Sequence, residues 1–304
     1  MTARRRPVAS SAKRERTRFV VLMLAPATIL LIGLTIIPFA ISVAFSFTDY
    51  SLTAPNAIAF TGLANYVRLF TSAEFQNAVR VTVEFTVAAV AAELVLGVGI
   101  AALLHHETRA VPALRLIYLM PLAITPVAAV FTFRIMLNPS LGVFNYLLRL
   151  VGMHPVDWLG TPGMALVSLI LVDTWQWTPF ILLIAAGGLS AMDEEPLEAA
   201  AMDGAGPCRI FFHHTLPLLF PYLVVAVVFR TIDAFKTFDI IFVLTGGGPG
   251  IATRTLNLLA YKNGIEFLSM GYAAALAIVM LVFTIVASQA LLRRADLFRP
   301  KAAL

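Results

Sequence analysis

The stretch EAAAMDGAGPCRIFFHHTLP, residues 198–217, is polar and small in a chain that is otherwise strongly apolar. It holds two acids, one Arg and two His, and apolar runs flank it on both sides. Its local signals are those of two short helices. Asp193 stands where an N-cap accepts a backbone N–H, and Pro196 suits the first turn. The run LEAAAM propagates well, and Gly204 is placed to end the helix in the left-handed conformation. Gly206–Pro207 makes the turn, Pro207 opens a second short helix, and Pro217 marks where the next apolar run begins. A helix–turn–helix pinned between two apolar runs belongs at the surface of a membrane domain.

Composition supports the membrane. Hydrophobic residues make up 60% and charged residues 13% of the 304, with a mean hydropathy of +0.87. Soluble domains run nearer a quarter charged. Six blocks reach the roughly 20 residues needed to cross a bilayer: 19–47, 80–104, 111–137, 163–189, 216–244 and 269–292. The expected fold is therefore all-α integral membrane, with six transmembrane helices and the helix–turn–helix between the fourth and fifth. The first block is read as a retained span, since its apolar run from Phe19 to Pro38 exceeds the roughly 7–15 residues of a signal-peptide core. Pro26, Pro38, Pro121, Pro126, Pro179 and Pro221 fall in or beside spans and predict kinked helices that move or line a cavity.

Lysine and arginine sort the loops by side. The N-terminal tail carries Arg4, Arg5, Arg6, Lys13, Arg14, Arg16 and Arg18, and the C-terminal tail Arg293, Arg294, Arg299 and Lys301. With Arg109, Arg115 and Arg209 they make fourteen, against five on the opposite loops (Arg68, Arg80, Arg149, Arg254, Lys262). Positive charge stays in the cytoplasm. Both termini and residues 190–215 are thus expected inside. The layout is a basic cytoplasmic tail at 1–18, a transmembrane domain at 19–292 and a second cytoplasmic tail at 293–304.

Several function classes lose support. The single cysteine, Cys208, allows no intramolecular disulfide and no metal framework. The adjacent pairs His105–His106 and His213–His214 lack the i, i+4 spacing of metal ligands. TGGGPG at 245–250 is followed by no Lys that reaches a phosphate, so the chain is not expected to hydrolyse ATP. No catalytic or metal residue is assigned. The basic residues lie beside spans rather than among stacking aromatics, which argues for lipid and against nucleic acid.

Two mid-span features bear on transport. The fifth block carries Arg230, Asp233, Lys236 and Asp239, alternating in sign every third residue. Such neighbours pair on one helix face, and charges in lipid are costly enough that the ladder must face protein or water. It reads either as a wall or gate of a translocation path or as an ion-pair network fixing helix packing. The fourth block holds DTWQWTP at 173–179. Asp173 and Gln176 share a face, and with Trp175 they offer hydrogen bonds and an aromatic plane, as a sugar requires. Polar residues gluing helices together is the competing account. Arg134 is a further candidate for the path.

The polar stretch also carries a family resemblance. Glu198-Ala199-Ala200, Asp203-Gly204-Ala205 and Leu216-Pro217 resemble the EAA loop of ABC-transporter permease subunits. FTGLANYVRLF at 60–70, LTGGGPG at 244–250 and MGYAAA at 270–275 are similar to the carbohydrate-uptake (MalF-like) branch of the binding-protein-dependent permeases. His214 departs from the apolar residue usual in the loop. The resemblance implies that residues 190–217 form a coupling element docking into a separate ATPase subunit. Glu198, the alanines Ala199 and Ala200, Asp203, Gly204, Ala205, Phe211, Leu216 and Pro217 would carry that contact. It further implies a second, related permease subunit, two ATPase subunits or domains holding ATP and Mg, and an extracytoplasmic substrate-binding protein at the bacterial inner membrane. The rival reading, a self-sufficient secondary transporter or channel, leaves the helix–turn–helix unexplained.

Overall fold

The computed structural model describes residues 9–56, 58–105, 111–193 and 195–297. The ends of both expected tails (1–8 and 298–304), with His106 and Arg109, lie outside the described residues. Among the described residues the chain is helical throughout, with a single isolated bridge between Thr48 and Phe60.

Helix α1 covers Ala9–Leu31 and continues through a wider π turn at Ile32–Ile36 to Ser46. There follow α2 (Ala64–Thr71), α3 (Ala73–His105), α4 (Val111–Ala123), α5 (Pro126–Met136), α6 (Val143–Leu150) and α7 (Pro162–Ser190). Next come α8 (Glu195–Met202), α9 (Pro207–Phe235), α10 (Asp239–Leu244), α11 (Leu256–Tyr261) and α12 (Met270–Leu297). Thr17–Ser46, Ala73–His105, Pro162–Ser190, Pro207–Phe235 and Met270–Arg293 are each long and apolar enough to cross a membrane alone. Helical spans suit that setting because every backbone group finds its partner within the segment.

The third expected span departs from a single helix. Its two pieces, Ile117–Ala123 and Pro126–Met136, meet at 109°. Pro126 forces the break: it starts α5 and pushes Thr125 into an extended conformation (φ −62°, ψ 135°). Pro26, Pro179 and Pro221 sit inside continuous helices instead. The fifth span also ends early, at Phe235 rather than 244. Residues 236–238 leave helical geometry, and Asp239 begins the separate α10.

Packing centres on α3, α7 and α9. One apolar cluster joins Phe85 and Val90 of α3 to Val130 and Phe133 of α5, Leu169 and Val172 of α7, and Ile240 and Ile241 of α10. A second, nearer α8, joins Val98 of α3, Ile181 and Leu182 of α7, and Leu219 and Leu223 of α9. By contrast, the apolar stretch of α1 is exposed along its length, and the helix meets α12 through Ile37–Ser46.

The α3–α7 seam depends on Gly97. A Cβ there would stand 2.7 Å from Ile181 Cβ and 3.0 Å from the backbone N of Leu182. Neither neighbour is the free end of a flexible chain, so the two helices must part to admit a side chain. Gly97→Val is therefore expected to destabilise the protein by about 1–3 kcal/mol, the usual cost of overpacking. A lowered thermal unfolding midpoint in detergent, at unchanged helical content, is the measurement.

Candidate functional site

A buried charge cluster holds α3, α7 and α9 together. The Arg230 guanidinium is 1% exposed and grips Glu93 with two hydrogen bonds, Nε and Nη2 each donating at 2.6 Å. Nη2 also donates to Asp173 Oδ2 at 2.7 Å, and Nη1 to Asp233 Oδ2 at 2.6 Å. The Trp177 ring lies against the guanidinium, its centroid 4.6 Å from Cζ, a cation–π distance. Glu93 and Asp173 are fully buried, whereas half of the Asp233 side chain is exposed. The planar fork of Arg matches this bidentate, multi-acid arrangement in a way that Lys cannot.

The i, i+3 pairing of Arg230 with Asp233 forms, but the longer ladder does not. Lys236 lies just beyond the end of α9, and Asp239 opens α10 on the far side of the break. Geometry thus favours the packing account for Arg230, Asp173 and Glu93, and leaves Asp233 as the member with an open face. Glu93 escaped the sequence reading. The signal was present: it is the sole polar residue in the stretch from Val87 to Leu104, where an ionisable residue implies a buried partner.

The polar patch of α7 splits between two faces. Asp173 and Trp177 turn to Arg230. Gln176, also buried, donates from Nε2 to the carbonyl of Ile124 at 3.3 Å, at the very break between α4 and α5. Gln176 thus ties down a backbone group that the bent span sets free. Trp175 faces the other way. It is partly exposed, its ring edge-on to Phe133 at 5.0 Å, and it lines a cavity of about 800 Å³ between α3, α7 and the bent pair. Thr174 and Thr178 line the same cavity, otherwise walled by residues such as Tyr118, Phe144 and Leu182. The Thr178 hydroxyl donates to the Thr174 carbonyl at 2.6 Å, while the buried Thr174 Oγ1 has no partner. Arg134 belongs to neither group: it is exposed and donates to the Val243 carbonyl on α10 at 3.0 Å.

The surface element is built from α8 and the start of α9. Helix α8 begins at Glu195, so Asp193, expected as its N-cap, stands one residue outside the capping position. At the other end Gly204 takes φ +81°, and the C-terminal bonds close as a Schellman motif. Ala205 N donates to Ala200 O and Gly204 N to Ala201 O, both at 3.0 Å. The second short helix is not separate. Pro207–Ile210 runs through a π turn at Phe211–Thr215 straight into the fifth span, so Leu216 and Pro217 lie within one continuous helix. Glu198, Ala199 and Asp203 are exposed, whereas Ala200 is buried against the chain itself. Phe211 packs on the cluster of α3, α7 and α9; the protruding apolar groups are Met202 and Phe212.

Removing Arg230 strands two buried carboxylates. Arg230→Met is expected to cost about 3–5 kcal/mol, the range for breaking a buried ion pair on one side. Asp233→Asn, at the exposed edge, should cost no more than about 1 kcal/mol. Thermal unfolding of the detergent-solubilised variants ranks the two, and equal losses would contradict the assigned geometry.

Comparison with known proteins follows the same architecture. Residues 93–295 match the family described as binding-protein-dependent transport system inner membrane component. The trehalose/maltose transport system permease protein MalF of Thermococcus litoralis is 42% identical over 230 residues, covering 75% of this chain and 77% of that protein. The sulfoquinovosyl glycerol transport system permease protein SmoG of Agrobacterium fabrum is 37% identical over 273 residues, covering 90% and 89%. A crystal structure of a bacterial ABC transporter involved in the import of the acidic polysaccharide alginate shares the fold, with a TM-score of 0.83 at 20% identity over 96% of this chain and 100% of that one. This multi-pass chain belongs to the inner membrane components of binding-protein-dependent transport systems.

Proposed function

We propose that this chain is a permease subunit of an ABC importer and forms half of a translocation path for a carbohydrate. An extracytoplasmic binding protein delivers the substrate, a second related permease completes the path, and two ATPase subunits or domains carry the ATP and Mg. Both termini and α8 face the cytoplasm, in keeping with the excess of Lys and Arg on that side. The observation that carries the reading is α8 itself. A two-turn helix, closed by a left-handed glycine, presents Glu198, Ala199, Met202 and Asp203 to the outside between two membrane spans. An exposed short helix with small residues and one apolar anchor suits a groove on a partner. A stand-alone channel has no use for it.

The site also suggests how movement travels. Helix α8 is joined through 191–194 to α7 and through 203–206 to α9, and these two helices bring Asp173 and Arg230 to the buried cluster. A push on α8 by a closing ATPase reaches the spans through both connections. For the substrate, the cavity beside Trp175 offers an aromatic face of the kind on which the apolar face of a sugar ring packs. Relatives named for trehalose/maltose and sulfoquinovosyl glycerol support the carbohydrate class.

Two experiments test this function. A Cβ at Gly204 meets no atom within 4 Å, so Gly204→Val acts through the backbone alone, at about 1–2 kcal/mol for an L-residue in the left-handed region. It should leave the spans inserted but weaken ATPase co-purification and binding-protein-stimulated ATP hydrolysis. Glu198→Lys should act in the same direction more mildly, because a rim charge is screened. Full ATPase attachment and turnover in Gly204→Val would reduce α8 to a connector and remove the observation that carries this reading. Separately, Trp175→Ala should lower uptake of the carbohydrate in proteoliposomes while the complex assembles normally. Unchanged uptake would take the cavity out of the path.

A further inference from the structure

Two short helices outside the spans share one pattern. In α2, Asn65, Tyr66 and Leu69 face the protein, and Leu69 is fully buried. Leu63, just ahead of the helix, Val67 and Phe70 form an i, i+4, i+7 stripe with more than half of each residue exposed. Ala64, Arg68 and Thr71, also exposed, make a third sector of small and polar residues. In α6, Phe144, Asn145 and Leu148 turn inward, and Val143, Leu147 and Leu150 repeat the same exposed spacing. Arg149 lies beside them and donates to the Ser140 carbonyl at 2.9 Å. A helix in water has two sectors, protein and solvent. An exposed apolar sector in addition to these two signals a third medium.

Hydrogen bonds fix the depth of α2. Asn65 Nδ2 donates to the carbonyls of Ser46 at 2.9 Å and Thr48 at 2.7 Å, and the Tyr66 hydroxyl donates to Ser46 Oγ at 2.8 Å. The Arg68 guanidinium lies 4.8 Å from the ring centroid of Tyr272. Ser46 is the last residue of the first span and Tyr272 lies in the first turn of the last. Helix α2 is therefore held level with the membrane ends of α1 and α12, whose own apolar side chains are exposed below it. Helix α6 docks elsewhere. Phe144 stacks near Phe133 of α5 and Trp158, and Asn145 Oδ1 accepts from Val156 N and Trp158 Nε1, both at 3.0 Å. The spans next to each stripe carry exposed apolar side chains of their own, such as Ile37 and Phe39 of α1 and Phe131 and Ile135 of α5. With the bent pair crossing once, α2 follows the first span and α6 the third, so both lie on the membrane face opposite α8.

We propose that α2 and α6 are interfacial anchors lying in the headgroup layer of the leaflet opposite α8, their Leu63–Val67–Phe70 and Val143–Leu147–Leu150 stripes seated in lipid. Their occupant is the bilayer, not a protein. Anchored in this way at two places around the domain, the helices resist vertical shift of the spans while leaving the water-facing ends of the loops free. The apolar stripes are expected about 5–10 Å into the boundary between headgroups and acyl chains, as for other amphipathic helices of this kind.

The test uses the full chain with Cys208→Ser, reconstituted in nanodiscs of phosphatidylethanolamine and phosphatidylglycerol. A nitroxide is attached at Val67→Cys or Leu147→Cys, with Ala64→Cys, exposed on the polar sector, as the water-facing control. Collision with oxygen and with a nickel chelate is read by spin resonance. Both stripe positions should show an oxygen-to-chelate accessibility ratio several-fold above the control. The proposal is overturned if the chelate reaches Val67 and Leu147 as readily as Ala64. It is equally overturned if protection appears only after the second permease or the binding protein is added, since the stripes would then be protein-docking surfaces. Two independent label sites keep the result decisive should one substitution disturb folding.

Discussion

Arg230 is the point on which the membrane domain depends. One guanidinium, removed from water and lipid, accounts for a carboxylate on each of α3 and α7 and for a third one turn away on its own helix. A charge at this depth is tolerated only when opposite charges meet it, and here the acids of three spans do so, although Asp173 Oδ1 itself has no partner. The same requirement fixes the rotation of three helices about their axes. Because the partners come from different spans, the cluster specifies one arrangement among the many that apolar packing alone permits. Specificity of this kind, rather than net stability, is what a buried ion network is best suited to provide.

The break between α4 and α5, set by Pro126, is the second constraint. Asp173 faces Arg230, and three residues on, Gln176 is brought to the Ile124 carbonyl that the bent span leaves open. A lipid-exposed break in a span is untenable unless protein groups take up the released backbone. With that carbonyl held, α5 can turn by 109° and open the space in which Trp175 and Thr174 stand. The cavity is thus a consequence of how the broken helix is paid for. Pro179 and Pro221, unlike Pro126, leave their helices continuous.

At the membrane surface the controlling feature is small. Gly204 lets α8 stop and the chain reverse within a few residues, so that α8 remains attached to both α7 and α9. The continuity of Pro207–Phe235 means that anything moving α8 acts on a single rigid span rather than on two helices joined by a loop. Proline at the second position of the Leu216 turn does not interrupt it, since the preceding π turn shifts the hydrogen-bonding pattern ahead of Pro217.

Much of this was legible in the order of residues, and for a physical reason: the bilayer punishes unsatisfied backbone so severely that apolar length alone defines spans, and local signals such as Gly204 act within a few residues. Six apolar blocks, the helix ending at Gly204 and the pairing of Arg230 with Asp233 are properties of short stretches. What only the tertiary structure decided concerns residues far apart in sequence. Glu93 lies 137 positions from Arg230, and no local spacing joins them. Trp175 and Gln176 are neighbours in sequence, yet one lines a cavity and the other caps a broken helix, because adjacent helical residues point about 100° apart and only the packed neighbours determine what each direction meets.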